Sequence, residues 1–390
     1  MRIAFPLISV DDWTGGRNYL LSLINALVTY YPNDVTPVIF YGQDIAIEET
    51  QSFACLPRVE LVNSSAFNRN RRLYSLAVSV TFGADFSIKK LMRQHRIDII
   101  FEVAQFFGVR IGIPAIAWMP DFQHRHIPKF FSKFAKLKRE IGFLAQINAG
   151  RTLLLSSKDA CSDCERFYPA TKGKTHIVQF AVPPPLPISF DVARGIADSY
   201  GLPKNFFYLP NQFSVHKNHQ LVANAIKIIR NQGGHLVIAA SGSMRDHRDL
   251  NYYAQLCKKI KNLDIQENFR LLGFIPHQHV SALMQVSDAL INPSLFEGWS
   301  TTVEEARALG VPLILSDLAI HREQVGEIAH FFDRWSADSL AETLSKFKSV
   351  HYTERERKKN DATADSERRF SEFAEKFMKV TEACYQEIKA

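Results

Sequence analysis

The chain has 390 residues, 46% of them hydrophobic and 22% charged, with 47 Lys and Arg against 40 Asp and Glu. That length and balance suit a globular protein of two or three domains with a substantial core. No apolar run is long enough to span a bilayer, and Asp11-Asp12 comes too soon for a secretory leader. Five scattered cysteines argue for a reducing cytoplasm rather than a disulfide framework.

The excess charge is uneven. Residues 1–187 hold 22 basic against 15 acidic groups, residues 188–390 hold 25 against 25, and from Arg58 to Arg139 the balance is 15 against 5. Such a patch reads either as a solvated basic face or as attraction to an anionic membrane or acceptor.

In chain order, the segment up to Val10 reads as a buried strand, and Asp11–Asn18, with Gly15 and Gly16, as a polar loop. Tyr19, Leu20, Leu23, Ile24 and Leu27 then recur at helical spacing before a second strand, Val38–Tyr41. The loop lacks G-x-G-x-x-G, which weighs against an NAD or FAD enzyme. Further strands are expected at Ile97–Val103, Ala115–Met119 and Arg151–Leu155. The polar segment Pro120–Pro128, with Asp121, His124 and His126, follows a strand's carboxyl end, where sites collect.

Lys129–Arg139 interleaves Phe130, Phe131, Phe134 and Leu137 with five basic residues. On a helix it reads equally as core packing or as an interfacial membrane segment; Arg69–Arg96 is a weaker second candidate. Basic and aromatic residues also serve base stacking, but no nucleic-acid-binding module is recognisable and no nucleic-acid partner is expected. Cys161 and Cys164 have C-x2-C spacing without a second pair, so they read as helix positions and no metal site is expected. The stiff run Val182–Pro187 reads as a linker.

A second α/β set follows, with strands at Phe206–Leu209, Leu236–Ala240, Phe269–Ile275, Ala289–Ile291 and Leu313–Leu315. Lys217 lies after the first of these, just before a helix from Leu221, where a cation neutralises a diphosphate well. Ser294–Ser300 reads as a loop carrying Glu297 beside Gly298. Thr301 and Thr302 are N-cap candidates for a helix that carries Glu305 and stops at Gly310 and Pro312. Free N–H groups from Gly298 to Thr302 would suit phosphate or sugar oxygens. Phe370, Phe373, Phe377, Val380, Cys384 and Ile388 share one face of a last helix.

The stretch Pro293–Pro312 carries the pattern PSxxEGxxxxxxEAxxxGxP. It closely resembles the signature of family-4 retaining glycosyltransferases of the GT-B fold, strongly from Phe206 to Phe347 and more loosely before. The resemblance implies an α/β chain of two Rossmann-like domains facing each other across a cleft. An acceptor-side domain would span 1–187 and a nucleotide-sugar-binding domain 188–369, with a helix 370–390 packing back on the first. The implied activity is hexosyltransferase-like: a sugar moves from a nucleotide-diphosphate sugar to a glycan or lipid-linked acceptor with retention at the anomeric carbon. No cofactor or essential metal is implied. The setting would be cell-surface polysaccharide synthesis in the cytoplasm or at the inner face of the membrane.

Residue by residue, the resemblance gives Glu297 the hydroxyls of the donor sugar, with Gly298, Trp299, Ser300 and Thr301 presenting N–H groups. Glu305 would take the ribose hydroxyls, Lys217 the diphosphate and Ile275 the base through its backbone. Gly15 and Gly16 would let backbone approach the donor phosphates. Asp121 keeps the acidic place of the family's His-Asp segment while Pro120 fills the histidine's, so His124 or His126 is the candidate replacement. Gln212 stands where the family has arginine, leaving the diphosphate to Lys217 with His216, Arg245 or backbone donors. These two departures keep a catalytically silent GT-B binding protein open, and a nucleotide-sugar 2-epimerase is the other alternative.

Overall fold

The computed structural model describes all residues except Ala104, Pro187, His247, 350–351 and 388–390, with backbone alone at Asp11, 352–360 and Glu387. Pro187 of the expected linker and Ile388 of the expected helix face therefore lie outside the described residues. The chain divides into two compact units, Met1–Pro183 with Arg368–Ala390, and Pro184–Glu367.

The first unit is built on seven short strands: β1 (Arg2–Pro6), β2 (Thr36–Tyr41), β3 (Glu60–Asn63), β4 (Ile99–Val103), β5 (Ala115–Met119), β6 (Thr152–Leu155) and β7 (Thr175–Ile177). Long connections separate them, so neighbouring strands pair in parallel, in the order β3-β2-β1-β4-β5-β6-β7. β4 and β5 are buried along their whole length, as continuous apolar strands covered on both faces should be.

Asp11–Asn18 is not a loop. Helix Val10–Tyr30 runs through it, broken only at Trp13, where φ is −168° and ψ 95°. A Cβ on Gly16 would lie 2.1 Å from the Trp13 ring. The bare glycine face thus lets that indole fold onto the helix and stack on Trp118, 5.3 Å between ring centroids. The last helix, Tyr352–Glu387, puts Phe373 against Tyr19 and Phe180, and Phe377 against Phe5 and Phe101. The sequence-distant end of the chain therefore completes the first unit's core.

The second unit has β8 (Phe207–Leu209), β9 (Ile238–Ser241), β10 (Phe269–Gly273), β11 (Leu290–Asn292), β12 (Leu313–Ser316) and β13 (His330–Phe332). They form a parallel sheet in the order β10-β9-β8-β11-β12-β13. Side chains alternate between its faces. Phe207, Leu209 and Ile291 pack with Val222 and Ile226 of helix His219–Asn231. Tyr208, Leu290 and Leu313 pack on the other face with Leu283, Val303 and Ala306. The strand order reverses between β8 and β11, and at such a switch point the crevice outside the carboxyl ends is where open α/β sheets bind ligands.

Candidate functional site

Two loops meet at that switch point. The loop after β8 carries Lys217, and the loop after β11 carries Glu297. Pro293 ends β11 because it has no N–H for the ladder. Asn218, at φ 57°, turns the first loop into its helix. The Leu295 N–H donates to the His216 carbonyl at 2.8 Å, and the Ser316 hydroxyl donates to the Ser294 carbonyl at 2.7 Å. The two loops are thereby fixed to each other and to the end of β12.

Lys217 Nζ donates to Glu297 Oε1 at 2.5 Å, with both side chains largely buried. The Ser294 hydroxyl lies 2.6 Å from the same oxygen and 2.6 Å from Asn292 Oδ1. The Asn292 amide in turn donates to Ser300 Oγ at 2.9 Å. Burial alone would push the Glu297 carboxyl up, but Lys217, then His321 and His216, bring it down to about 2. Glu297 is therefore ionised at neutral pH, an acceptor and counter-charge rather than a proton donor.

Both neighbouring imidazoles are buried and shifted downward. For His216 the cause is burial, then Lys217 and Arg248; for His321 it is burial, opposed by Glu297. His321 Nδ1 donates to the Ser316 carbonyl at 2.8 Å, which puts the proton on that nitrogen. Its Nε2 is then a buried acceptor with no hydrogen-bond partner among the described residues.

The helix expected after this loop spans Thr301–Ala308, so neither Thr301 nor Thr302 is its N-cap. Ser300 occupies that position, and its hydroxyl accepts from Asn292 instead of capping. Nor is the Ser300 N–H free: it donates to Gln324 Oε1 at 3.4 Å, while Gln324 Nε2 donates to the Ser300 carbonyl and to Glu304 Oε1. The N–H groups of Gly298 and Trp299 carry no hydrogen bond among the described residues, and Thr301 opens the first helical turn. Glu304, not Glu305, is the fully buried carboxylate of this helix. Glu305 is partly exposed and lies 3.3 Å from His277 Nε2, whose affinity for a proton it raises.

Gln212 is exposed, and its amide donates to the Arg245 carbonyl at 2.7 Å. Asp246 accepts from the Val215 N–H at 3.2 Å, so the loop after β9 is held against the Lys217 loop. Ile275 has its side chain in the core behind an exposed Phe274. Gly15, Gly16, Asp121 and His124 belong to the first unit. Asp121 accepts from Arg139 at 3.1 Å and from the Gln123 N–H. His124 does not turn outward. It is buried beside Phe143, with Nε2 2.7 Å from Glu140, because that carboxylate and ring offer it an interior place. His126 is partly exposed and pairs with Asp163, which raises its affinity for a proton.

The structure thus brings Lys217 and Glu297 into contact, while Glu305 meets His277. Sequence reasoning gave no role to the groups around Glu297, namely Asn292, Ser294 and His321, or to Gln324, which holds Ser300 and Glu304. Asn292 and Ser294 left a signal, since both are polar at the end of an apolar strand. His321 lies in Ala319–Glu323, which resembles a donor-side loop of the family, whereas Gln324 left no signal. Among the described residues no group of three or more His, Cys, Asp or Glu is placed to hold a metal ion.

Two parallel α/β sheets of this kind are those of GT-B glycosyltransferase structures, and the chain shares that fold. The sequence model of the family described as Glycosyl transferases group 1 matches residues 198–364, nearly all of the second unit. Over 92 residues the chain is 32% identical to an uncharacterised glycosyltransferase of Methanocaldococcus jannaschii, covering 24% of this chain and 22% of that one. Over 167 residues it is 20% identical to mannosylfructose-phosphate synthase of Agrobacterium fabrum, covering 41% and 36% of the two. Both matches thus span well under two thirds of the relative's length. Among solved structures, Anabaena HepE in complex with UDP and glucose superposes with a TM-score of 0.70 at 16% identity, covering 98% of this chain and 100% of that one.

Proposed function

We propose that this chain transfers a sugar from a nucleotide-diphosphate sugar to a glycan or lipid-linked acceptor, with retention at the anomeric carbon. The observation that carries the reading is the Lys217–Glu297 pair, buried at the switch point beside unbonded N–H groups of Gly298 and Trp299. The family match over the second unit and the likeness to a structure holding UDP and glucose support it.

At rest, Glu297 neutralises Lys217. A bound diphosphate gives that ammonium a second anionic partner where charge develops as the glycosidic bond breaks. The Gly298 and Trp299 N–H groups and the start of helix Thr301–Ala308 point positive charge at the same region. Glu297, ionised, accepts from hydroxyls of the donor sugar and cannot serve as a general acid. Glu305 takes ribose hydroxyls in exchange for His277. In this reading the departing phosphate takes the acceptor's proton and no metal is required, so excess chelator leaves turnover unchanged. The site belongs to envelope polysaccharide synthesis on the cytoplasmic side.

The test is product analysis by proton NMR with UDP-, GDP- and ADP-sugars, each with and without a glycan acceptor. Acceptor-dependent product with the donor's anomeric configuration is expected. Conversion of the donor sugar without any acceptor would make the chain an epimerase instead.

A further inference from the structure

Helix Lys133–Asn148 is apolar on two opposite faces. Ser132 caps its start, the hydroxyl accepting from the Ala135 N–H at 3.1 Å. One face is anchored in the first unit. Phe143 and Gln146 are buried there, and Glu140 joins His124, Arg125 and Tyr168. The opposite face carries Phe134, Leu137, Ile141 and Leu144, which are 64%, 58%, 41% and 44% exposed. At about 100° per residue these four fall within an arc of about 80°, with Lys133 at one edge and Lys138 just beyond the other. Single exposed apolar side chains are ordinary, but four in one stripe are not.

The unpaired charge along this helix is of one sign. Arg125 and Arg139 pair with Glu140 and Asp121, whereas among the described residues Lys133, Lys136 and Lys138 enter no ion pair. Lys129 lies over the Phe130 ring at 5.3 Å, continuing the basic edge beyond the cap. An apolar stripe with lysines along its borders matches a surface whose interior is hydrocarbon and whose boundary is anionic. A second copy of the chain fits it less well, because a twofold contact through this stripe would set lysines against lysines.

We infer that the outer face of helix Lys133–Asn148 seats the first unit on an anionic phospholipid bilayer, the four apolar side chains entering the interface and the lysines meeting headgroup phosphates. No helix among the described residues is long and apolar enough to cross a membrane, so this contact would be peripheral. It stands independently of the transfer reaction.

The experiment is co-sedimentation of the full chain with phosphatidylcholine vesicles, with and without phosphatidylglycerol. Binding is expected only where phosphatidylglycerol is present, and it weakens as salt is raised. The paired variant Lys133→Gln/Lys138→Gln should lose roughly thirtyfold in affinity, at about 1 kcal/mol per basic residue. Phe134→Ser/Ile141→Ser should lose at least as much. All four side chains are exposed, so circular dichroism should show both variants folded. Absent or lipid-independent binding, or unaltered binding by the folded variants, would overturn the inference. So would a dimer in light scattering that Phe134→Ser/Ile141→Ser dissolves.

Discussion

One oxygen of Glu297 takes the Lys217 ammonium and faces the Ser294 hydroxyl, and its carboxyl sits at about 2 rather than near 4.5. A folded-state value below the unfolded one contributes stability that is complete above the unfolded value and lost as pH falls through the folded one. Replacing Glu297 by Gln should therefore cost on the order of 3 kcal/mol above about pH 5, since Lys217 is left without its counter-charge. That gap should close between about pH 4.5 and 2. Urea unfolding of both proteins across this range checks it, and a gap independent of pH would contradict the pairing. Gln212 offers the converse test. It occupies the position of a family arginine and is exposed, so Gln212→Arg should tighten nucleoside diphosphate binding by roughly three- to tenfold, measured by calorimetry.

At the scale of elements, the Trp13 break depends on one small residue. Gly16→Ala places a methyl against the indole, and the ring has room to leave because it is partly exposed. The near-UV circular dichroism of the Trp13–Trp118 stack should be lost at a stability cost of about 1 kcal/mol. An unchanged spectrum would show that the ring does not need the glycine face. The same element shows where sequence reading fails. Gly-Gly after Asp-Asp looks like a turn, yet a helix runs through it, with the Trp13 ring lying over Gly16, which is buried, while Gly15 stays exposed. The strands around the site were legible to within a residue or two, because continuous apolar runs ending in Asn-Pro or Ser-Gly admit little else. The Thr301 and Thr302 caps were not. Capping there is decided by whether Ser300 is already engaged, and Asn292, eight residues away, engages it.

For the whole molecule, the terminal helix brings Phe377 against Phe5 and Phe373 against Tyr19, from opposite ends of the chain. Phe373 and Phe377 are almost fully buried among rings of the first unit, so Phe373→Ala should cost roughly 3–5 kcal/mol in denaturant unfolding. A cost below 1 kcal/mol would mean that the helix is dispensable to that core. The periodicity of Phe370, Phe373 and Phe377 announced a buried face, though periodicity alone does not say what buries it. Long-range choices of this kind also decide where His124 sits. A histidine after a strand's carboxyl end is as readily an interior partner for a carboxylate as a site residue, and Glu140, sixteen residues on, decided it.

The central claim is that Lys217, held by Glu297, receives the diphosphate of a nucleotide sugar. Thermal unfolding of wild type and Lys217→Ala with saturating UDP, GDP or ADP tests it most directly. The account predicts that one nucleotide raises the wild-type midpoint by several degrees and leaves that of Lys217→Ala nearly unmoved. An equal rise in both proteins, or no rise with any nucleotide, would contradict it.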